Sequence, residues 1–368
     1  MPSQIGHGFD LGCEWLHSAD RNPWTAIARA ENFAIDERLP DWSSRIRRWP
    51  GVSPADQDDW LRARAEFEDR IERAAELDVD GALADLLPPG TRWAAMLDAI
   101  SSWANGAELD RVSIQDLARY DDSEINWRLY DGYGALIARH GAGVPVRLET
   151  PVARIDHRGH AIALETARGT LTARAVIVTV PTPILASGAL AFDPPLPAKQ
   201  AAAAGLPLGL ANKLFLHVTD GGADLPSDTH LIGRIDRTAT GSYQLRPHGW
   251  PIIQGYFGGA FARELERAGP AAMTAFALDE LAGLLGNDIR AGLRWLASSA
   301  WDADEFARGG YSHALPGHAD DRAVLAAPVD GRLFFAGEAT SANDFSTAHG
   351  AYLTGVAAAD AALAHTPR

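Results

Sequence analysis

Gly331-Arg332-Leu333-Phe334-Phe335-Ala336-Gly337-Glu338-Ala339-Thr340, followed by Ala348-His349-Gly350-Ala351-Tyr352-Leu353-Thr354-Gly355, is the stretch on which the fold turns. Leu333-Phe334-Phe335 is a short apolar run closed by a glycine, which predicts a buried strand. The alanine-rich segment from about 349 to 363 predicts a helix. Strand, turn and helix in this order put Gly337 at the carboxyl end of the strand, where open α/β sheets bind ligands and a missing Cβ allows close approach to the backbone. Free N–H groups near Ala348-His349, at the helix start, suit an electron-rich ligand group. Composition alone favours the plainer reading, an ordinary strand–helix packing unit.

Outward from this stretch, Ala175-Val176-Ile177-Val178-Thr179-Val180 is a β-branched run ended by Pro181, the pattern of a strand buried on both faces. Residues 161–166 and 170–173 alternate as a hairpin does, and 152–155 and Val144-Pro145-Val146-Arg147-Leu148 read as two more strands. Further strands are expected at 213–218, 230–235 and 252–257, and a helix at 271–285. The chain opens with a turn-rich run, Gly6-His7-Gly8-Phe9-Asp10-Leu11-Gly12, and the next hundred or so residues are mainly helical. Ser53 as N-cap, Pro54 at the first helical position and Asp56 in the first turn start one helix, with Trp60, Phe67, Ile71 and Ala74 on one stripe. Trp93-Ala94-Ala95-Met96-Leu97 and the residues from Ile114 to Leu117 suggest others. Helices and strands interleaved in this way predict a mixed α/β or α+β fold of two intertwined domains.

The 368 residues are 46% hydrophobic and 22% charged, enough for a substantial core. A net charge of −15 argues against nucleic acid, which needs clustered Lys and Arg, and is compatible with a cationic substrate. No uninterrupted apolar run reaches a membrane span, and no charged-then-apolar leader pattern stands at the amino terminus; a cytoplasmic protein is the expectation. Cys13 is the only cysteine, so no intramolecular disulfide is possible. His7, Cys13 and His17 follow no zinc spacing, so no metal is expected. There is no Gly-x-Ser-x-Gly elbow and no P-loop.

The closing FFAGEAT and TAHGAYLTG resemble the carboxy-terminal motif of the flavin-containing amine oxidases, the group of monoamine oxidases, polyamine oxidases and histone lysine demethylases. Four other stretches are similar to that family in the same order. Phe9-Asp10-Leu11-Gly12-Cys13-Glu14-Trp15-Leu16-His17 resembles the segment lining the flavin ring, which implies cofactor contacts from Gly12, Glu14 and Trp15. The run from Ala175 through Pro183, with Phe192-Asp193-Pro194-Pro195-Leu196-Pro197, resembles the central strand and its proline-rich continuation. Gly209-Leu210-Ala211-Asn212-Lys213 resembles the strand bearing the family's lysine, and Trp301 with Ala307-Arg308-Gly309-Gly310-Tyr311-Ser312 the stretch crossing the flavin face. The matches run from Phe9 to Gly355.

The resemblance implies non-covalent FAD and a small-molecule amine as substrate, with oxygen as acceptor. Expected chemistry is hydride transfer from the carbon beside the nitrogen to flavin N5, giving an imine, then aldehyde, and hydrogen peroxide. Lys213 is implied to hold a water near flavin N5, and a dry pocket is expected to lower its pKa; read alone, it is as well a lysine snorkelling from a strand edge. His17 falls at a substrate-contact position and alone reads as a packed or capping histidine. Glu338 is implied beside the ribityl–diphosphate region, Gly337 at the same turn, Thr347 and Ala348 at the flavin ring, Trp301 and Tyr311 over its face, and Val152 at adenine, where the bland alternative is core. Gly310 stands where covalent members carry the flavin-bonding cysteine. Thr347 replaces the second tyrosine of the aromatic cage, which points to polyamine-like amines rather than small aryl amines.

The Gly-x-Gly-x-x-Gly turn of an FAD-gripping βαβ unit is not found: Gly6-x-Gly8, Gly132-x-Gly134 and Gly141-x-Gly143 each lack the third glycine. The reading is therefore an incomplete Rossmann-like FAD domain from residues 1–25, 138–205 and 296–368, intertwined with a substrate domain of helices and a mixed sheet from 26–137 and 206–295. A longer reading frame, a partner subunit supplying the βαβ unit, and a flavin-free remnant are the three accounts of the missing unit. A related oxidase acting on a non-amine is the enzymatic alternative.

Overall fold

The computed structural model describes residues 8–40, 52–219 and 224–365; Gly6 and His7 of the opening turn lie outside the described residues. In chain order the elements are β1 (Trp15–Leu16), α1 (Pro23–Ala30), β2 (Ile35–Asp36), α2 (Pro54–Glu76), α3 (Ala94–Ala104), α4 (Ile114–Arg119), β3 (Trp127–Leu129) and α5 (Tyr133–His140). Then come β4 (Val152–Asp156), β5 (Ile162–Thr166), β6 (Gly169–Ala173), β7 (Val176–Val178), α6 (Thr182–Ala186), β8 (Ala191–Asp193) and α7 (Pro197–Gly205). The chain continues with β9 (Ala211–Val218), β10 (Thr229–Ile232), β11 (Ser242–Leu245), β12 (Ile252–Gly258), α8 (Gly259–Ala268), α9 (Pro270–Leu285) and β13 (Leu293–Ser298). It closes with α10 (Asp321–Ala326), β14 (Leu333–Phe335) and α11 (Ala348–His365). The fold is mixed α/β, as the interleaved patterns imply.

Four sheets result. A five-stranded sheet runs β10-β11-β12-β9-β13, all neighbours antiparallel. A four-stranded sheet runs β6-β5-β4-β8, a three-stranded one β1-β3-β2, and β14 pairs with β7 in parallel. The five-stranded sheet buries one face under α8 and α9, through Leu214, Leu216, Ile253, Phe257, Leu265, Met273 and Leu281. A second core joins Ile155, Ile162, Val178, Leu185, Leu206, Leu325, Leu333 and Phe335. A third lies along the predicted stripe of α2, where Trp60, Phe67, Ile71 and Ala74 meet Trp93, Met96 and Leu97. Ser53 caps α2 as its sequence requires, its Oγ accepting from the Asp56 N–H at 3.1 Å.

Two sequence expectations fail here. Val144-Pro145-Val146-Arg147-Leu148 forms no strand, and Val144, Val146 and Leu148 are 62%, 69% and 76% exposed. A β-branched run becomes a strand only when another strand takes its backbone bonds, and none among the described residues does so. The run at 175–180 is a strand only over Val176–Val178, and only Val178 is buried; Val176 and Ile177 are half-buried.

Candidate functional site

β9 and β12 create the site by alternation. Lys213 lies opposite Tyr256 and Phe215 opposite Gln254, and opposed residues of an antiparallel pair share a face. One face carries Leu214, Leu216, Ile253 and Phe257 into the core; the other carries Lys213, Phe215, Gln254 and Tyr256. The segment around residues 9–14 covers this second face. Phe9 stacks on Phe215 with ring centroids 4.2 Å apart. Lys213 Nζ donates to the Asp10 carbonyl at 3.0 Å and to Glu14 Oε2 at 2.8 Å, and Gln254 Nε2 donates to the same oxygen at 2.7 Å. The Asp10 carboxylate anchors the covering segment by accepting from the Tyr133 and Gly134 N–H groups at 2.7 and 2.9 Å, at the start of α5.

Lys213 is only 5% exposed. Burial works to lower its pKa, but the charge and hydrogen bond of Glu14 prevail, so the amine is held above its ordinary range. Burial likewise works to raise Glu14, yet the Lys213 charge and the bonds from Lys213 and Gln254 leave it below the ordinary carboxylate range. The expectation of a lowered lysine is thus reversed: dryness shifts a lone amine down, and a carboxylate at bonding distance shifts it back up. Burial raises Asp10, and it pushes the Cys13 thiol up to about 11.

Beside Lys213, the Tyr256 hydroxyl lies 3.0 Å from that of Tyr311, which in turn donates to the Trp103 carbonyl. The chain reaches β9 through a narrow passage in which Leu210 N donates to Gly106 O, Gly209 N to Tyr311 O and Gly310 N to Gly209 O, each at 2.8 Å. A Cβ on Gly209 would sit 2.4 Å from the Asn105 carbonyl oxygen, so only glycine fits the crossing. Gly12 faces Trp301, whose ring lies 3.7 Å from where a Gly12 Cβ would stand.

The turn after β14 borders a cleft of about 240 Å³ lined by Val180, Pro181, Leu208, Gly310, Gly337 and Glu338 among others. Gly337 adopts φ +135°, and a Cβ there would meet nothing within 4 Å. Glu338 accepts from Ser312 Oγ at 2.6 Å, Ser312 N at 3.1 Å and Ser346 N at 2.7 Å, which fixes the turn against the stretch carrying Tyr311. Thr347 caps α11, accepting from Gly350 N at 2.9 Å and donating to Asp344 O at 2.6 Å. The Ala348 carbonyl accepts from Trp24 Nε1 at 3.3 Å. His17 lies near this helix start. Its Nδ1 is 2.6 Å from Asn126 Oδ1, and its carbonyl accepts from Asn22, whose amide is 3.4 Å from His349 Nδ1. Burial lowers the His17 pKa. The Arg128 guanidinium lies over the Trp15 ring, 4.9 Å from its centroid, and Val152 packs partly buried on the second core. No cluster of three or more metal-ligating side chains occurs among the described residues, and no helix there is long and apolar enough to cross a membrane.

Residues 18–363 match the family model described as flavin containing amine oxidoreductase. The chain belongs to that family. Polyamine oxidase 2 of Arabidopsis thaliana is 34% identical over 236 residues, 62% of this chain and 47% of the relative. Polyamine oxidase 4 of Oryza sativa subsp. japonica is 31% identical over 265 residues, 69% and 53% of the two chains. Lysine-specific histone demethylase 1 homolog 1 of the same rice is 27% identical and covers 95% of this chain and 45% of its own. The chain spans about half the length of the curated relatives it matches.

For a member of the flavin-containing amine oxidoreductases, the arrangement joins Lys213 to Glu14 and Gly12 to Trp301, and ties Gly337 and Glu338 to the Tyr311 stretch. Three residues on this face escaped the sequence reading, Phe215, Gln254 and Tyr256, and Asp10 of the covering segment was quoted only within its motif. Gln254 and Tyr256 sit two apart on a strand, the spacing of one face, but which face depends on the register with β9.

Proposed function

We propose that this chain carries the substrate side of an FAD-dependent amine oxidation, acting on polyamine-like substrates in preference to small aryl monoamines. The buried Lys213–Glu14 pair carries this reading: a costly charged pair set in a strand face beside Tyr311 and Tyr256 is hard to explain by packing alone. The relatives named polyamine oxidase support the substrate class.

The cleft residues fit the flavin part of FAD. Gly310 and Gly337 present backbone without side chains, and the apolar wall of Val180, Pro181 and Leu208 suits a flat ring. They do not fit a diphosphate, because among the described residues Glu338 is the only ionisable side chain lining the cleft and no cation lines it. We therefore assign the diphosphate to a strand–turn–helix unit docked beside β14 and α11, from the same polypeptide or from a partner subunit. The exposed Leu353, Val356 and Leu363 of α11 support that docking. The proposed division is a cofactor domain from 1–25, 138–205 and 296–368 and a substrate domain from 26–137 and 206–295.

Held non-covalently against Gly310, Gly337, Val180, Pro181 and Leu208, the flavin would supply the two-electron oxidation of the amine to an imine, with oxygen as the final acceptor giving hydrogen peroxide. The chain's own residues prepare that event. The Tyr256 and Tyr311 hydroxyls offer bonding partners to an amine, Phe9, Phe215 and Trp301 keep bulk water out, and Lys213 donates to a water or to oxygen. His17 and Ala348 would border the amine from the α11 side. The visible absorption spectrum of the chain, with and without added FAD, tests this. Flavin bands that bleach with a polyamine support it; a chain that retains no flavin even with the docking unit supplied overturns it.

A further inference from the structure

We propose that Glu14 is a positioning residue that keeps Lys213 an ammonium across the working pH range, so that Lys213 is a fixed donor and the pair is neutral beside the amine. The proposal deepens the amine-oxidation reading and rests on it for its catalytic half alone.

The geometry is specific. An ammonium has three donors; two are taken by the Asp10 carbonyl and Glu14 Oε2, and the third has no protein acceptor among the described residues. That third N–H is free for a water or a reacting oxygen. Glu14 is held in place by Gln254, which donates to the same oxygen from the neighbouring strand. Both partners are shielded, with side chains 6% and 15% exposed.

The other groups around the pair do not replace Glu14. The Asp10 side chain and Tyr256 favour the ammonium from a distance, but the Asp10 carboxylate bonds to the start of α5 and Tyr256 to Tyr311. Arg128 stabilises Glu14 as a carboxylate, while His17 and His248 are kept neutral mainly by burial. The Cys13 thiol stays protonated. Glu14 is thus the one carboxylate bonded to Lys213 among the described residues. A substrate amine arrives as a cation, and an unpaired ammonium would repel it; Glu14 removes that repulsion.

The sequence makes the test clean, because Lys199 and Lys213 are its only lysines. Lysine labelled with ¹³C at Cε gives two side-chain resonances in the full chain, and Lys213→Met identifies which belongs to Lys213. The wild-type Lys213 signal should titrate above an ordinary lysine, about 10.4, and in Glu14→Gln it should fall below that value. A wild-type Lys213 that titrates below an ordinary lysine overturns the proposal, and so does a Glu14→Gln signal that does not move. The wild-type titration decides the matter even if Glu14→Gln fails to fold. It needs no flavin, so a chain that binds none even with the docking unit supplied sinks the oxidase reading without touching this result. In the flavin-loaded enzyme, Glu14→Gln should raise KM for a cationic amine roughly tenfold, with a smaller effect on kcat; an unchanged KM overturns the charge-cancelling role.

Discussion

Arg322 and Asp116 form a fork-to-fork pair with almost no exposure: Nε to Oδ1 at 2.6 Å and Nη2 to Oδ2 at 2.8 Å, with side chains 3% and 1% exposed. Arg322 also donates to Ser312 Oγ and the Ala339 carbonyl, so it ties α10 to both site turns. Removing one partner strands a buried charge, and Arg322→Met should cost about 3–5 kcal/mol, read from urea unfolding. The histidines predict an acid limb. Burial pushes His230 and His313 down from 6.5 to about 4, and both His313 ring nitrogens lack partners among the described residues. Their folded pKa is below the unfolded one, so between those values the unfolded chain binds more protons. Stability should be full above about pH 6.5 and be lost progressively as pH falls toward 4. In urea midpoints measured across that window, His313→Phe should flatten part of the slope. At this scale Lys213, Tyr311, Gly12 and Trp301 were singled out from motifs, each as a residue and not as a contact. The partner of Lys213 was not legible: Glu14 lies 199 residues away, and nothing local in either segment encodes their meeting.

Elements with their own start signals were read well. Ser53-Pro54 began α2, the Ala-rich tail formed α11, and the alternating hairpin became β5 and β6, because capping and periodicity act over a few residues. The run at 144–148 failed since a strand depends on a neighbour. Two predictions belong here. Gly209→Ala forces a methyl against the backbone at Asn105 and Gly106; it should cost roughly 1–3 kcal/mol in urea unfolding and shift β9, and with it Lys213. Lys199 Nζ donates to the carbonyls of Val324, Leu325 and Ala327, closing the end of α10. Lys199→Met leaves those carbonyls unmet and should cost about 2–3 kcal/mol, measured the same way.

Across the whole molecule, α11 is apolar nearly all round yet leaves Leu353, Val356 and Leu363 exposed. A helix of that composition belongs under cover. The chain as described should therefore self-associate as its concentration rises. Leu363→Glu should reduce light scattering while changing unfolding free energy by no more than about 0.5 kcal/mol, because that side chain is 73% exposed. Unchanged scattering would remove this surface from the account of docking.

By itself, the sequence determined the helices with their own start signals, the alternating hairpin, the family motifs and their order, and the position of the lysine. Each rests on neighbours within a few residues or on a contiguous motif. Tertiary structure alone decided that Glu14 pairs with Lys213, that Tyr256 stands by Tyr311, and that residues 144–148 stay unpaired. The physical reason is shared. Strand register, burial and charge pairing are set by segments far apart in the chain, and a residue's chemistry, like the protonation of Lys213, follows from what those segments place against it.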